Sequence, residues 1–259
     1  MDNSGPAYIS KEEKKIPIDD PSGKWSDLTL LPEWSEELYD VYTVRKYGKW
    51  VMLKALKKEY ADKPEYRKIL EKEFDTRYNL AHPNIVMVND LEDVPGVGRA
   101  IITDDVYGYS LRRLIDEKRL TPKIVRRLET QLLDALDYIE SNHIIHHPIT
   151  PDTIIFTEYQ ENLKLIDVGY DHTASLTEQD TRKDIESYGE VLGEVLDHLP
   201  ASLPRLRKIA DKCRAGGYNS ITDVHLAVER RSSAQIYVII CAIIVIFATI
   251  LIILTASLP

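Results

Sequence analysis

The stretch His143–Asp171, HIIHHPITPDTIIFTEYQENLKLIDVGYD, decides how the rest of the chain is read. The apolar pair Ile144 and Ile145 leads into a His146-His147-Pro148 turn and then a Pro151-Asp152-Thr153 segment. Two short apolar runs follow, Ile154 to Phe156 and Leu163 to Ile166, separated by polar residues. That pattern predicts a β-hairpin with a loop in front of it and an acid behind it. Asp167 stands at the strand end, and Gly169 permits a backbone conformation that other residues adopt at a cost.

These residues resemble the catalytic loop and the metal-binding loop of the eukaryotic-type Ser/Thr protein kinases. His146 matches the family's loop histidine, Pro151 its proline, and Asp167 with Gly169 its last motif. The same match puts Pro148 where the family has its catalytic aspartate, Thr150 where it has a lysine and Thr153 where it has an asparagine. The residues that shape the loop are present, and those that carry its chemistry are replaced.

Upstream, Val41 to Arg45 and Lys49 to Leu56 are β-rich runs joined by a Tyr-Gly turn. Within the second run, Val51-Met52-Leu53-Lys54 resembles the family's V-A-I-K strand, so Lys54 is implied as the lysine that contacts the ATP phosphates. Tyr66, Ile69, Leu70, Phe74 and Tyr78 recur at helical spacing. Glu73 on that helix, followed by Leu80 and then His82-Pro83-Asn84-Ile85-Val86, resembles the family's ion-pairing helix, which implies a Lys54–Glu73 pair. His82 is expected to be structural, linking this helix to the next strand. The glycine-rich loop should precede Val41, but Trp34 to Val41, WSEELYDV, holds no glycine. Glu36, Glu37 and Asp40 instead bring negative charge towards the implied phosphate site. Thr103 falls at the gatekeeper position and Asp104 to Val106 along the hinge.

Thr121-Pro122 supplies an N-cap and a first-turn proline for a helix reaching Ser141. Its stripe of Ile124, Leu128, Leu132, Ala135, Leu136 and Ile139 is expected to pack under the loop. Roughly 17 residues separate Asp167 from Asp184 with no Ala-Pro-Glu element between them, so the activation segment is short. Asp184 to Leu196 resembles the family's next long helix, with Asp184 implied as a buried acceptor for the loop backbone. Helices are expected over Leu203 to Cys213 and Ile221 to Val228.

The 259 residues carry a net charge of −9, which argues against a nucleic-acid partner. The two cysteines, Cys213 and Cys241, have no metal-type spacing. No signal peptide is expected, because the N-terminal residues lack an apolar core after a basic start. From Ile236 to Leu254 no residue is charged. About 19 residues at a 1.5 Å rise span close to 30 Å, the thickness of a bilayer's hydrocarbon core. Arg230 and Arg231 precede the run and no basic residue follows it, so positive-inside orientation keeps the N-terminal part cytoplasmic.

The expected architecture is therefore α+β: a two-lobed protein-kinase-like fold plus one C-terminal transmembrane helix. Residues 1–25 form a flexible tail, 26–103 a small β-rich N-lobe with one helix, and 104–231 an abbreviated helical C-lobe. Residues 235–255 form the membrane helix and 256–259 a short tail. The expected function is that of a tail-anchored pseudokinase, a binding, scaffolding or regulatory module facing the cytoplasm. Its partners are the bilayer and proteins of unknown identity. The nucleotide-contacting set is Lys54, Glu73, Thr103 and Asp167, with Asp167 the magnesium ligand and ATP and Mg bound weakly. Two alternatives stay open. One is an unconventional kinase or other ATP-dependent transferase using Asp167 and a displaced base, His146, His147 or Asp152. The other is a structural anchor with no ligand.

Overall fold

The computed structural model describes residues 14–106, 108–144, 148–158, 161–166, 168, 177–199 and 203–256. The upper lobe is built on an antiparallel sheet of six strands: β1 (Lys14–Lys15), β2 (Trp25–Leu30), β3 (Tyr39–Lys46), β4 (Lys49–Leu56), β5 (Val88–Val94) and β6 (Gly98–Asp104). Their spatial order is β1-β2-β3-β4-β6-β5. The β3–β4 turn is the predicted Tyr-Gly pair. Tyr47 (φ 50) and Gly48 (φ 79) both adopt left-handed backbone, the geometry that matches the twist of a two-residue hairpin. It sets the β3–β4 register, Val41 against Lys54 and Tyr39 against Leu56.

Of the tail expected over residues 1–25, residues 14–25 are described, and they are tied to the sheet. Lys14 and Lys15 pair with Leu30 and Thr29, and Ile16 and Ile18 pack on the cluster around Trp25, Leu28 and Val44. Two apolar side chains with somewhere to go are enough to order a polar segment.

Across the sheet lie a short helix α1 (Lys58–Ala61) and the longer α2 (Pro64–Arg77). Pro64 opens α2, where a missing N–H costs nothing. Leu70 is fully buried against Tyr39, Leu56, Val88 and Ile101.

The lower lobe has a second, three-stranded sheet, β7 (Gly108–Ser110), β8 (Ile154–Thr157) and β9 (Leu163–Leu165), in that order. The predicted hairpin is β8–β9. Gly108 is required by close approach, since a Cβ there would lie 2.1 Å from the Phe156 carbonyl oxygen. Helix α3 (Leu111–Asp116) follows β7. The expected helix up to Ser141 forms as α4 (Pro122–Arg127), a π-helical turn over Leu128–Leu132, and α5 (Leu133–Ser141). The Thr121 hydroxyl caps it by accepting from the Ile124 amide at 3.3 Å. All six residues of the predicted stripe are buried.

Helix α6 (Glu178–His198) begins with a reciprocal cap between Thr177 and Asp180. It packs against α7 (Pro204–Arg214). The last helix differs from expectation. Ile221 to Val228 and the apolar run form one helix, α8 (Ile221–Ala256), with no break at Arg230-Arg231. Nothing in SSAQ, residues 232–235, stops a helix; there is no proline or glycine. The N-terminal end of α8 belongs to the lobe, with Ile221 and Val224 in its core. Further on, Ile243, Ile244, Val245, Ile246 and Phe247 are all exposed. Among the residues described in full, no helix is long and apolar enough to cross a membrane. Of the run 236–254, that set includes the side chains of 240–247 and 249.

Candidate functional site

Sheet and lower lobe enclose a cleft of about 540 Å³. It is lined by Val41, Met52 and Thr103 of the sheet, by Val86, and by Ser110, Arg112, Asp152, Thr153 and Ile166. Lys54 reaches the cleft from the middle of β4, a position fixed by pairing with Val41 on one side and Ile101 on the other. Its side chain is 7% exposed, so the ammonium needs anionic partners. Among the described residues, Glu36 Oε1 lies at 2.9 Å and Glu73 Oε1 at 3.3 Å. The ammonium also lies 4.5 Å from the centre of the Tyr39 ring, a cation–π contact.

The Lys54–Glu73 pair implied by the sequence is therefore formed, but in different company. Glu73, fully buried on α2, also holds Arg77 one turn on, at 2.8 Å. Both cations use Oε1, and among the described residues Oε2 has no hydrogen-bond partner. Sequence reasoning passed over Arg77. The signal was its i,i+4 spacing from Glu73, which puts both on one helix face.

The segment from Leu31 to Leu38 leads into β3 and overlaps the glycine-free run Trp34 to Val41. It folds into a 3₁₀ turn, Pro32–Trp34. The Trp34 amide donates to Leu31 O at 3.1 Å, Ser35 to Pro32 O at 3.2 Å, and Glu36 to Tyr39 O at 2.9 Å. The Ser35 hydroxyl donates to Leu31 O and accepts from the Val41 amide, both at 3.1 Å. These amides serve the turn itself. The negative charge anticipated near the phosphate site is real at Glu36, whose carboxylate rests on Lys54.

Thr103 is buried, its hydroxyl 3.3 Å from Asp104 O. Pro148 and Thr150 are exposed, and Ile149 between them is buried. The Thr153 hydroxyl is engaged locally, donating to Thr150 O at 3.0 Å and accepting from the Thr150 amide at 3.2 Å. Asp152 lines the cleft, 3.7 Å from Arg112 Nε. Arg112 in turn is held by Glu194 of α6. Asp167, His146 and His147, the expected magnesium ligand and two of the displaced bases, lie outside the described residues. Asp184 is buried as expected.

The His-Pro-Asn-Ile-Val element ties the lobes together. Leu165 donates to Asn84 O at 2.7 Å, Val86 donates to Leu165 O at 3.0 Å, and the buried Asn84 amide donates to Leu163 O at 2.8 Å. His82 stacks on Tyr138 with ring centres 5.0 Å apart. Burial lowers its imidazole pKa, in keeping with a structural role.

Among the described residues, no group of three or more His, Cys, Asp or Glu could hold a metal. Lys54 in the cleft suits a phosphate, and Arg112 and Arg113 also line it. The turn before β3 rests the Glu36 carboxylate on that lysine.

The model of the protein kinase domain family matches residues 39–189. The chain is similar to the serine/threonine-protein kinase PknD of Mycobacterium tuberculosis, 30% identical over 143 residues, covering 54% of this chain and 21% of that protein. It is similar also to the serine/threonine-protein kinase PrkC of Bacillus subtilis, 29% identical over 120 residues, covering 46% of this chain and 18% of that protein. The chain thus spans about a fifth of the length of these curated relatives. The crystal structure of the Mycobacterium tuberculosis PknI kinase domain superposes with a TM-score of 0.59 at 20% identity, covering 81% of this chain and 97% of that one. At that identity the likeness is one of fold.

Proposed function

The chain belongs to the protein kinase domain family, and from that premise we propose that it is a pseudokinase, a binding or scaffolding module carried on a membrane anchor. One observation carries the reading. In the loop before β8, Pro148, Thr150 and Thr153 stand where phosphoryl transfer needs an aspartate, a lysine and an asparagine. A proline side chain cannot accept the alcohol's proton, and the Thr153 hydroxyl is spent on Thr150. Loss of a general base by itself removes about 10² to 10⁴ in rate.

The cleft still offers Lys54 and Glu73, to which we add Asp167 from the sequence match, as a weak clamp for ATP and magnesium. Its test is thermal shift of the full chain in detergent with ATP and magnesium, wild type against Lys54→Ala and Asp167→Ala. A rise for the wild type that both substitutions abolish supports the clamp, and no rise for the wild type removes it. Labelled phosphate passing from ATP to a protein, lost in Asp167→Ala, would overturn the pseudokinase reading itself.

Anchoring rests on α8. Five consecutive apolar residues, 243–247, are exposed, and five consecutive residues sample every face of a helix. A helix apolar all round needs a lipid or protein surround. Positive-inside orientation places the kinase-like body in the cytoplasm. A tag after Pro259 should be shielded from protease added on the cytoplasmic side, and its digestion there would contradict this topology.

A transferase with Asp152 as displaced base has one observation in its favour, that this residue lines the cleft. Loss of nucleotide turnover in Asp152→Asn would support it.

A further inference from the structure

We propose that Trp34–Glu36 is a built-in competitor for the nucleotide, the indole standing in for the base and the carboxylate for the phosphates; this rests on reading the cleft as a nucleotide site. Trp34 bridges two apolar groups that otherwise face each other across the cleft. On the sheet side it packs with Leu31, Val41 and Met52. On the other side it packs with Val86, Val106 and Ile155, beside Ile166. A flat aromatic ring between such walls occupies the kind of slot a purine would take, with the same dispersion and desolvation gains.

Two residues on, Glu36 supplies the charge. Its carboxylate is 2.9 Å from Lys54, nearer than Glu73 at 3.3 Å. A triphosphate that is to use Lys54 must displace this carboxylate or share the cation with it, and like charges packed together repel. The turn that carries both residues is self-contained. The amides of Trp34, Ser35 and Glu36 are spent on Leu31, Pro32 and Tyr39 carbonyls, and the Ser35 hydroxyl staples the turn to β3. Holding ring and carboxylate in place thus costs little additional ordering, as in any preorganised ligand.

The two halves of the device are separable by charge. Binding of ATP with magnesium and of adenosine is measured by calorimetry on the full chain in detergent, for wild type, Glu36→Gln and Trp34→Ala. Glu36→Gln should tighten ATP at least tenfold and leave adenosine within twofold. Trp34→Ala should tighten both ligands. Should Trp34→Ala fail to fold, which its denaturation curve would reveal, the near-isosteric Glu36→Gln decides alone. ATP that binds the wild type and is unchanged by Glu36→Gln overturns the competitor while leaving the nucleotide clamp standing. Equal tightening of adenosine and ATP by Glu36→Gln also overturns it, since the effect would not then be one of charge. If wild type and variants alike bind neither ligand, the competitor and the clamp fall together.

Discussion

Arg77 lies closer to Glu73 than Lys54 does, at 2.8 Å against 3.3 Å, although it is Lys54 that the family pattern pairs with this glutamate. Glu73 is fully buried and Arg77 is 5% exposed. The pair belongs to the framework of the upper lobe before it belongs to any ligand.

Without Arg77 the buried Glu73 keeps only its longer contact with Lys54, so Arg77→Met should lower the unfolding free energy by about 1–3 kcal/mol. Arg67 offers the control. Its partner Asp62, at 3.1 Å, is 95% exposed, and Arg67→Met should cost no more than about 1 kcal/mol. Urea denaturation of the two variants checks the contrast.

Glu92 gives the upper lobe an acid sensitivity. Burial acts to raise its pKa, but hydrogen bonds from Lys24 and Lys46 outweigh this and hold it at about 2, below its ordinary 4.5. A carboxyl depressed on folding stabilises the protein fully above 4.5 and loses that contribution as pH falls towards 2. Glu92→Gln should therefore be less stable than wild type at pH 7. The gap should close between pH 4.5 and about 2, as read from melting temperature against pH.

Gly189 sits where α6 touches α7. A Cβ there would come within 2.6 Å of Cys213 Cβ and 2.8 Å of Ala210 O. Alanine ordinarily improves a helix, but here the clash wins, and Gly189→Ala should destabilise by about 1–3 kcal/mol. Calorimetric melting would detect it, and an unchanged or raised melting temperature would show that the helices part easily.

Cys213 is fully buried, and burial pushes its thiol pKa up to about 12. Thiolate is the reactive form, so alkylation of Cys213 at pH 8 should be negligible in the folded chain and appear only on unfolding. Peptide mapping after maleimide treatment, with and without urea, reads this directly.

Pro148→Asp alone should leave phosphate transfer at background. Thr150 and Thr153 remain in place of the lysine and asparagine, and groups that act as a unit are not restored singly. A radiolabel assay decides it.

The two-lobed order of elements was legible because each motif carries its own local physics. The Tyr47-Gly48 turn, the Thr121-Pro122 cap and the β8–β9 hairpin each follow from residues a few positions apart. The Lys54–Glu73 contact could be read as well, through resemblance. What escaped the sequence was decided by contacts between distant segments. Whether Glu36 rests on Lys54 or faces solvent depends on how Leu31–Leu38 folds back on β3. Trp34 shows no periodicity that would place it between two apolar walls. The docking of Ile16 and Ile18 was missed because two isoleucines in a polar stretch look insignificant until a sheet edge accepts them.

Helix α8 runs from the lobe's core at Ile221 to Ala256 without a joint. A continuous hydrogen-bonded rod transmits torque and tilt that a flexible tether would absorb. Whatever grips the distal half therefore also sets the heading of the globular body.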